Sequence, residues 1–275
     1  MKKNTDRVKM NAITTITFER IHRATIVTQK SFKPPYRNHV TASKMPAFAH
    51  QDEYSSAKQT ALRTFGGAAS PVRNDFTQAA LDHGNTFEII ANSELRKLPF
   101  FISNRYHFDN PMDDGQWSIT GTWRHLPSKA SFMFSATPDM MITQGLMCLP
   151  VEIKCPYHAY IKDIDLSPAF LKPSHWIQLM AQAILLGADH GYLFVFIPEK
   201  PNRPTQYILW RVSVTRAATD FILSLVHEVY CRLGTCDSME SYKIFNAKRG
   251  EKDNVKQFIL NELKENATIV AKQIN

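Results

Sequence analysis

Apolar positions recur along the chain at two periods, and the switches between them mark the elements. Across residues 76–97, Ala80, Gly84, Phe87, Ala91 and Leu95 fall three or four apart. That spacing predicts a helix with one buried stripe and Glu88 on its edge. Residues 117–123 and 131–135 alternate, which is the period of strands, and 140–143 and 147–154 follow as a hairpin or adjacent strand pair. Residues 175–186 return to the helical period and close at Gly187, a residue suited to a left-handed helix end. Residues 192–197 form an unbroken apolar run, read as a buried strand, and 206–214 form another strand. An amphipathic helix over 216–233 and a final charged helix over 252–272 complete the chain.

The first third is less regular. Residues 1–15 are expected to be weakly ordered, 17–28 to form a short helix, and Lys33-Pro34-Pro35 to stop it. Thr41-Ala42-Ser43-Lys44 places small hydroxyl residues before a helix start, as an N-cap requires. Residues 50–72 are mixed and broken at Gly66-Gly67. Helices, a run of strands, a helix, two strands and a helix define an α/β (α+β) class: a central mixed sheet flanked by helices.

Charge divides the 275 residues unevenly. The whole chain is +8, yet residues 1–40 hold nine Lys or Arg against Asp6 and Glu19, so the remainder is close to neutral. A basic arm on a neutral body suits a polyanion, with salt-dependent affinity, or serves only as a solubilising tail. The longest apolar run is far short of the ~20 residues of a membrane-spanning helix. The basic N-terminus lacks the apolar stretch of a secretory signal. Cys148, Cys155, Cys231 and Cys236 show no zinc spacing and no disulfide framework. An intracellular, reducing compartment is expected.

Candidate chemistry centres on Thr137-Pro138-Asp139 and, twelve residues on, Glu152-Ile153-Lys154-Cys155-Pro156. In a strand, Glu152 and Lys154 project from one face, while Val151, Ile153 and Cys155 face the other. A short hairpin can return Asp139 beside Glu152. Carboxylates grouped with a lysine are costly in a core unless paired or metal-bound, and they suit a hard cation such as Mg²⁺. Taken alone, those three residues leave open a solvated ion pair on an edge strand, worth under ~1 kcal/mol. Gln178 and Gln182, at i and i+4 of the following helix, bring two amides to one face.

Taken together, His83-Gly84-Asn85-Thr86-Phe87-Glu88, Ser135-Ala136-Thr137-Pro138-Asp139, Val151-Glu152-Ile153-Lys154-Cys155-Pro156 and the 175–182 run H-W-I-Q-L-M-A-Q make a more specific set. This ordered set resembles the phage lambda exonuclease / YqaJ-type viral recombinase family of the PD-(D/E)xK nuclease superfamily. The resemblance spans roughly residues 37–233. It implies a restriction-endonuclease-like core over residues 37–240, with a partly disordered basic arm (1–36) before it and a helical extension (241–275) after it. By the same resemblance Glu88, Asp139 and Glu152, with the Ile153 carbonyl, hold one or two Mg²⁺ ions, for which Mn²⁺ can substitute. Lys154 acts on the attacking water, as a charged orienting group or as a base, and Gln178 steadies it. Arg37, Thr41 and Ser43 correspond to a site gripping the 5′ phosphate, for which a helix N-terminus with hydroxyls is physically apt. The chain departs from the family pattern at Met140, His83, His175 and Met180, and Arg37 stands one residue closer to Thr41-Ala42-Ser43 than the pattern has it. None of these removes a proposed metal ligand.

The implied activity is 5′→3′ digestion of one strand of linear duplex DNA, giving 5′-phosphorylated nucleotides and 3′ single-stranded tails for recombination. The implied partners are duplex DNA ends and a single-strand annealing protein, and some relatives assemble as trimeric rings. Alternatives are an endonuclease or DNA/RNA nuclease of the viral alkaline nuclease type, a non-catalytic DNA-binding module on the same fold, or an interaction protein using the basic arm.

Overall fold

The computed structural model describes residues 18–28, 39–69, 75–109, 117–156, 171–199, 201 and 204–274. The chain runs β1 (Phe18–Thr28), β2 (Val40–Thr41), a 3-10 turn (Ala42–Lys44), α1 (Met45–Phe48), α2 (Ala57–Thr64), α3 (Asp75–Arg96) and α4 (Pro99–Ser103). It continues through β3 (His107–Asp109), β4 (Trp117–His125), β5 (Ser131–Ala136), β6 (Met140–Gln144), β7 (Met147–Lys154) and α5 (Pro173–Leu186). It ends with β8 (His190–Ile197), β9 (Gln206–Ser213), α6 (Arg216–Leu233), a second 3-10 turn (Ser241–Phe245), α7 (Glu251–Asn266) and β10 (Ala267–Gln273). The mixed α/β class with flanking helices is the one observed, with the strands divided over two sheets. One sheet is ordered β1-β4-β5-β2 and the other β10-β9-β8-β7-β6-β3. Pairing is parallel between β2 and β5 and between β7 and β8, and antiparallel elsewhere.

Alternation along the central strands builds two cores. Tyr192, Phe194 and Phe196 of β8 join Leu149, Val151 and Ile153 of β7 on the face covered by α3 and α4. Leu193, Val195 and Ile197 face the opposite way, into the larger core with α5 and α6. A strand buried on both faces has no polar side, which is why 192–197 reads as one apolar run. Helix α5 lies against β7 and β8 of one sheet and β4 and β5 of the other, with α1, α6 and α7 around it. It is buried from Trp176 to Leu185 apart from Gln178, and Gly187 closes it at φ 70°. Gly191 admits close packing, since a Cβ there would stand 2.8 Å from Leu179 Cδ1. Among the described residues no helix is long and apolar enough to cross a membrane.

Four sequence expectations are revised. Residues 18–28 form β1, paired with β4, rather than a helix. The segment is rich in β-branched types, and an available sheet edge decides in their favour. The last helix stops at Asn266, where Ala267-Thr268-Ile269-Val270 turns into β10 against β9. Helix α2, within the stretch read as mixed, starts with a capping box in which the Ser56 hydroxyl accepts from Gln59 N–H and the Gln59 side chain accepts from Ser56 N–H. The buried stripe of α3 holds only at its C-terminal end: Ala91 and Leu95 are fully buried, whereas Ala80, Gly84 and Phe87 are half-buried. Arg37 and the expected disorder over residues 1–15 lie outside the described residues.

Candidate active site

The β6–β7 hairpin sets the geometry. Its two-residue loop, Gly145-Leu146, has Gly145 at φ 60°, a conformation glycine adopts without strain. The ladder then pairs Gln144 with Met147 and ends at Met140 opposite Val151. Asp139 falls one residue past this last pair, and its Oδ2 accepts the Ile153 N–H at 2.7 Å. The side chain thus continues the ladder where main-chain pairing stops. In a strand a residue's N–H and C=O leave by the same edge, so the Ile153 carbonyl also points toward the Asp139 side.

Glu152 points to the α5 face, as the alternation requires, and is 3% exposed. Its Oε2 accepts from Gln182 Nε2 at 2.5 Å, and its Oε1 forms an ion pair with the Lys154 ammonium. A buried carboxylate is tolerated when both oxygens are engaged in this way. The other Gln182 atom, Oε1, is buried without a hydrogen bond among the described residues.

The charges are strongly interdependent. Burial, followed by the charges of Glu152 and Glu88, pushes the Asp139 carboxyl well above the ordinary aspartate range, against Lys154 and the Ile153 N–H, which favour its ionised form. Burial also raises Glu88, with Lys154 opposing and Glu152 adding to the shift. For Lys154, burial disfavours the ammonium, but Glu152, Asp139 and Glu88 outweigh it and hold the lysine above its ordinary value. Burial, with Lys154 and Lys172 nearby, keeps His175 on α5 well below the usual histidine range.

These groups open onto a cavity of about 610 Å³. Asp139, Glu152, Lys154, Gln178, Thr41 and Ser43 all line it, so residues distant in sequence share one space. Glu88 is not on this wall and reaches the group through its charge, from α3. Thr41 makes no side-chain cap, and its Oγ1 lies 3.0 Å from Ser43 Oγ. The helix expected behind it is a 3-10 turn followed by the four residues of α1. Sequence reasoning assigned no role to His39, Ser118, Ser135 or Thr137, which also line the cavity. His39 Nε2 lies 2.6 Å from Ser135 Oγ, and Ser118 Oγ lies 2.7 Å from Thr137 Oγ1. It singled out Gln178 for the positioning role, whereas Gln182, one turn on, holds Glu152. The i, i+4 amide pair was the signal for both.

Among the described residues no three His, Cys, Asp or Glu side chains converge tightly enough to form a metal cluster. The donor chemistry nevertheless fits a hard cation. Asp139, Glu152 and Glu88 supply carboxylate oxygens, the donors a hard cation prefers, and burial, the first cause of the raised Asp139 and Glu88 values, makes their ionised forms costly without a compensating positive charge.

No protein-family model matches the chain, and no curated protein matches it. Among solved structures, an alkaline exonuclease from Laribacter hongkongensis aligns with a TM-score of 0.49 and 18% identity, over 76% of this chain and 94% of that one. The protein SSO0001 aligns with a TM-score of 0.39 and 12% identity, over 73% of this chain and 79% of that one. Likenesses this distant carry no argument about function, which rests on the residues of the cavity.

Proposed function

We propose that this protein is a metal-dependent nuclease that digests linear duplex DNA from its ends, 5′→3′, leaving 3′ single-stranded tails. The observation behind this reading is the shared cavity, which is lined by Asp139, by the ion pair of buried Glu152 with half-buried Lys154, and by Thr41 and Ser43. Asp139 and Glu152, with Glu88 and the Ile153 carbonyl, would hold Mg²⁺. Bound there, the ion would neutralise the scissile phosphate and lower the pKa of a water molecule. Lys154 is an ammonium fixed by Glu152, so it orients the water and stabilises charge building on the phosphate. Gln182 fixes the Glu152 carboxylate, and Gln178 faces the same space. Thr41 and Ser43 offer hydroxyl donors to a terminal phosphate.

Digestion of a linear duplex labelled at its 5′ or 3′ end, with Mg²⁺ or with chelator and beside a closed circle, tests the reading. Mg²⁺-dependent loss of the linear DNA alone, with the 5′ label released first and no loss with Lys154→Ala, is the expected result. Wild-type turnover by Lys154→Ala would sink the site assignment.

A second reading, a DNA-binding module without catalysis, draws on one observation: both Glu152 oxygens are already engaged, by Lys154 and Gln182. DNA binding with no cleavage under any divalent ion would favour it.

A further inference from the structure

A second polar cavity, of about 650 Å³, adjoins the candidate active site and shares Ser43 with it. Its wall carries the cations Lys44 and Arg63 among the hydroxyls of Ser43, Ser55, Thr60 and Thr64. Lys44 sits in the 3-10 turn directly after Ser43, and Arg63 sits in the last turn of α2.

Neither cation forms an ion pair among the described residues. Lys44 is half-buried and forms no hydrogen bond or ion pair among the described residues. Burial lowers its pKa, and no carboxylate offsets that cost. Arg63 donates to Gln59 O at 3.2 Å and to Ser55 Oγ at 2.6 Å, both uncharged acceptors. Asp52 is the acid on this wall, and its Oδ1 accepts from the Tyr54 N–H at 2.7 Å. Two cations against one acid that pairs with neither leave this wall net positive, and one of the cations is partly desolvated, a cost that an entering anion would offset. The arginine is already fixed through Nε and Nη2, leaving its remaining N–H groups for a further acceptor.

We infer that this cavity takes a backbone phosphate of the DNA strand whose neighbouring phosphate lies in the candidate active site, with Ser43 at the seam between the two. The inference rests on the nuclease reading for its choice of ligand and names a phosphate site that reading does not contain. Lys44 and Arg63 are positioning residues here. They fix the register of the strand and touch no reacting atom.

The test is fluorescence anisotropy with a labelled 5′-phosphorylated duplex in chelator, titrated across salt concentrations. Lys44→Gln/Arg63→Gln should bind more weakly than wild type, and its salt slope should flatten by about 0.9, the value for one duplex phosphate no longer neutralised. Lys44→Arg should restore the wild-type slope in an otherwise unchanged chain. A charge-matched control at exposed positions, Lys248→Gln/Lys256→Gln, should stay near wild type. Equal melting temperatures across the set exclude loss of fold. A double variant whose slope overlaps wild type, or changes no more than the control, would overturn the assignment, as would a wild-type protein that does not bind the duplex. Because no divalent ion is present, a failure of catalysis cannot mimic these results. Retained, Lys44- and Arg63-dependent binding without cleavage would remove the catalytic reading and uphold this one.

Discussion

Helices α5 and α3 both flank β7, and they hold their ends of the candidate site in different ways. Helix α5 is enclosed by both sheets and by three other helices. Its Gln182 touches Glu152 directly. Helix α3 is anchored through Ala91 and Leu95, while Ile89, next to Glu88, is 75% exposed. Glu88 acts on the group through its charge, with no hydrogen bond to it among the described residues. One half of the site therefore inherits the rigidity of the core, and the other comes from an element fixed at one end. Local stability follows the density of buried apolar contacts, so Glu152 should be held in place more firmly than Glu88.

Substitutions can break or sharpen this contrast. The largest effect is expected in cleavage: Glu152→Gln should fall to background in a gel assay, whereas Glu88→Gln should keep a measurable remainder. Equal loss in both would remove the distinction. Next, Trp176→Ala on α5 should cost about 3–5 kcal/mol in urea unfolding, because it empties a fully buried site. Third, Gln182→Leu should cost about 1–3 kcal/mol by leaving a Glu152 oxygen unpaired, and should lower the cleavage rate as well. Unchanged stability and rate would mean that the amide does not hold the carboxylate. The smallest effect belongs to α3: Ile89→Ala should stay within about 0.5 kcal/mol of wild type. A larger loss would place Ile89 in an interface.

The same contrast explains what could be read from the sequence. Helix α5, β8 and the β6–β7 hairpin were legible because their patterns are dictated by burial on known faces. A helix buried all round still ends at Gly187, and a strand buried on both faces shows as 192–197. The spacing of Asp139, Glu152 and Lys154 implied a shared face through the strand period alone. Less was legible where pairing across the chain overrides local preference. β1 and β10 gain their hydrogen bonds from β4 and β9, partners far away in sequence, and the charged residues before Ala267 gave the last segment a helical look. The N-terminal half of α3 carries apolar residues at helical spacing, Ala80 and Phe87 among them, that are only half-buried and join neither core among the described residues. His39, Ser118, Ser135 and Thr137 have side chains too common to signal a site, and only the parallel pairing of β2 with β5 brings Thr41 opposite Ser135.

The bond from Ile153 N–H to the Asp139 carboxylate has a further consequence. Because a side chain makes the first contact beyond the β6–β7 ladder, hairpin register and site assembly are one event. A slip of a single residue would turn Val151 and Ile153 toward the cavity and Glu152 toward the apolar core on the α3 side, and would strand Asp139 without its donor. The hairpin thus works as a built-in gauge: a chain that folds out of register does not make a weakened site, it makes none. Errors in this segment should then register as a lower fraction of competent molecules, with the competent ones turning over at the normal rate.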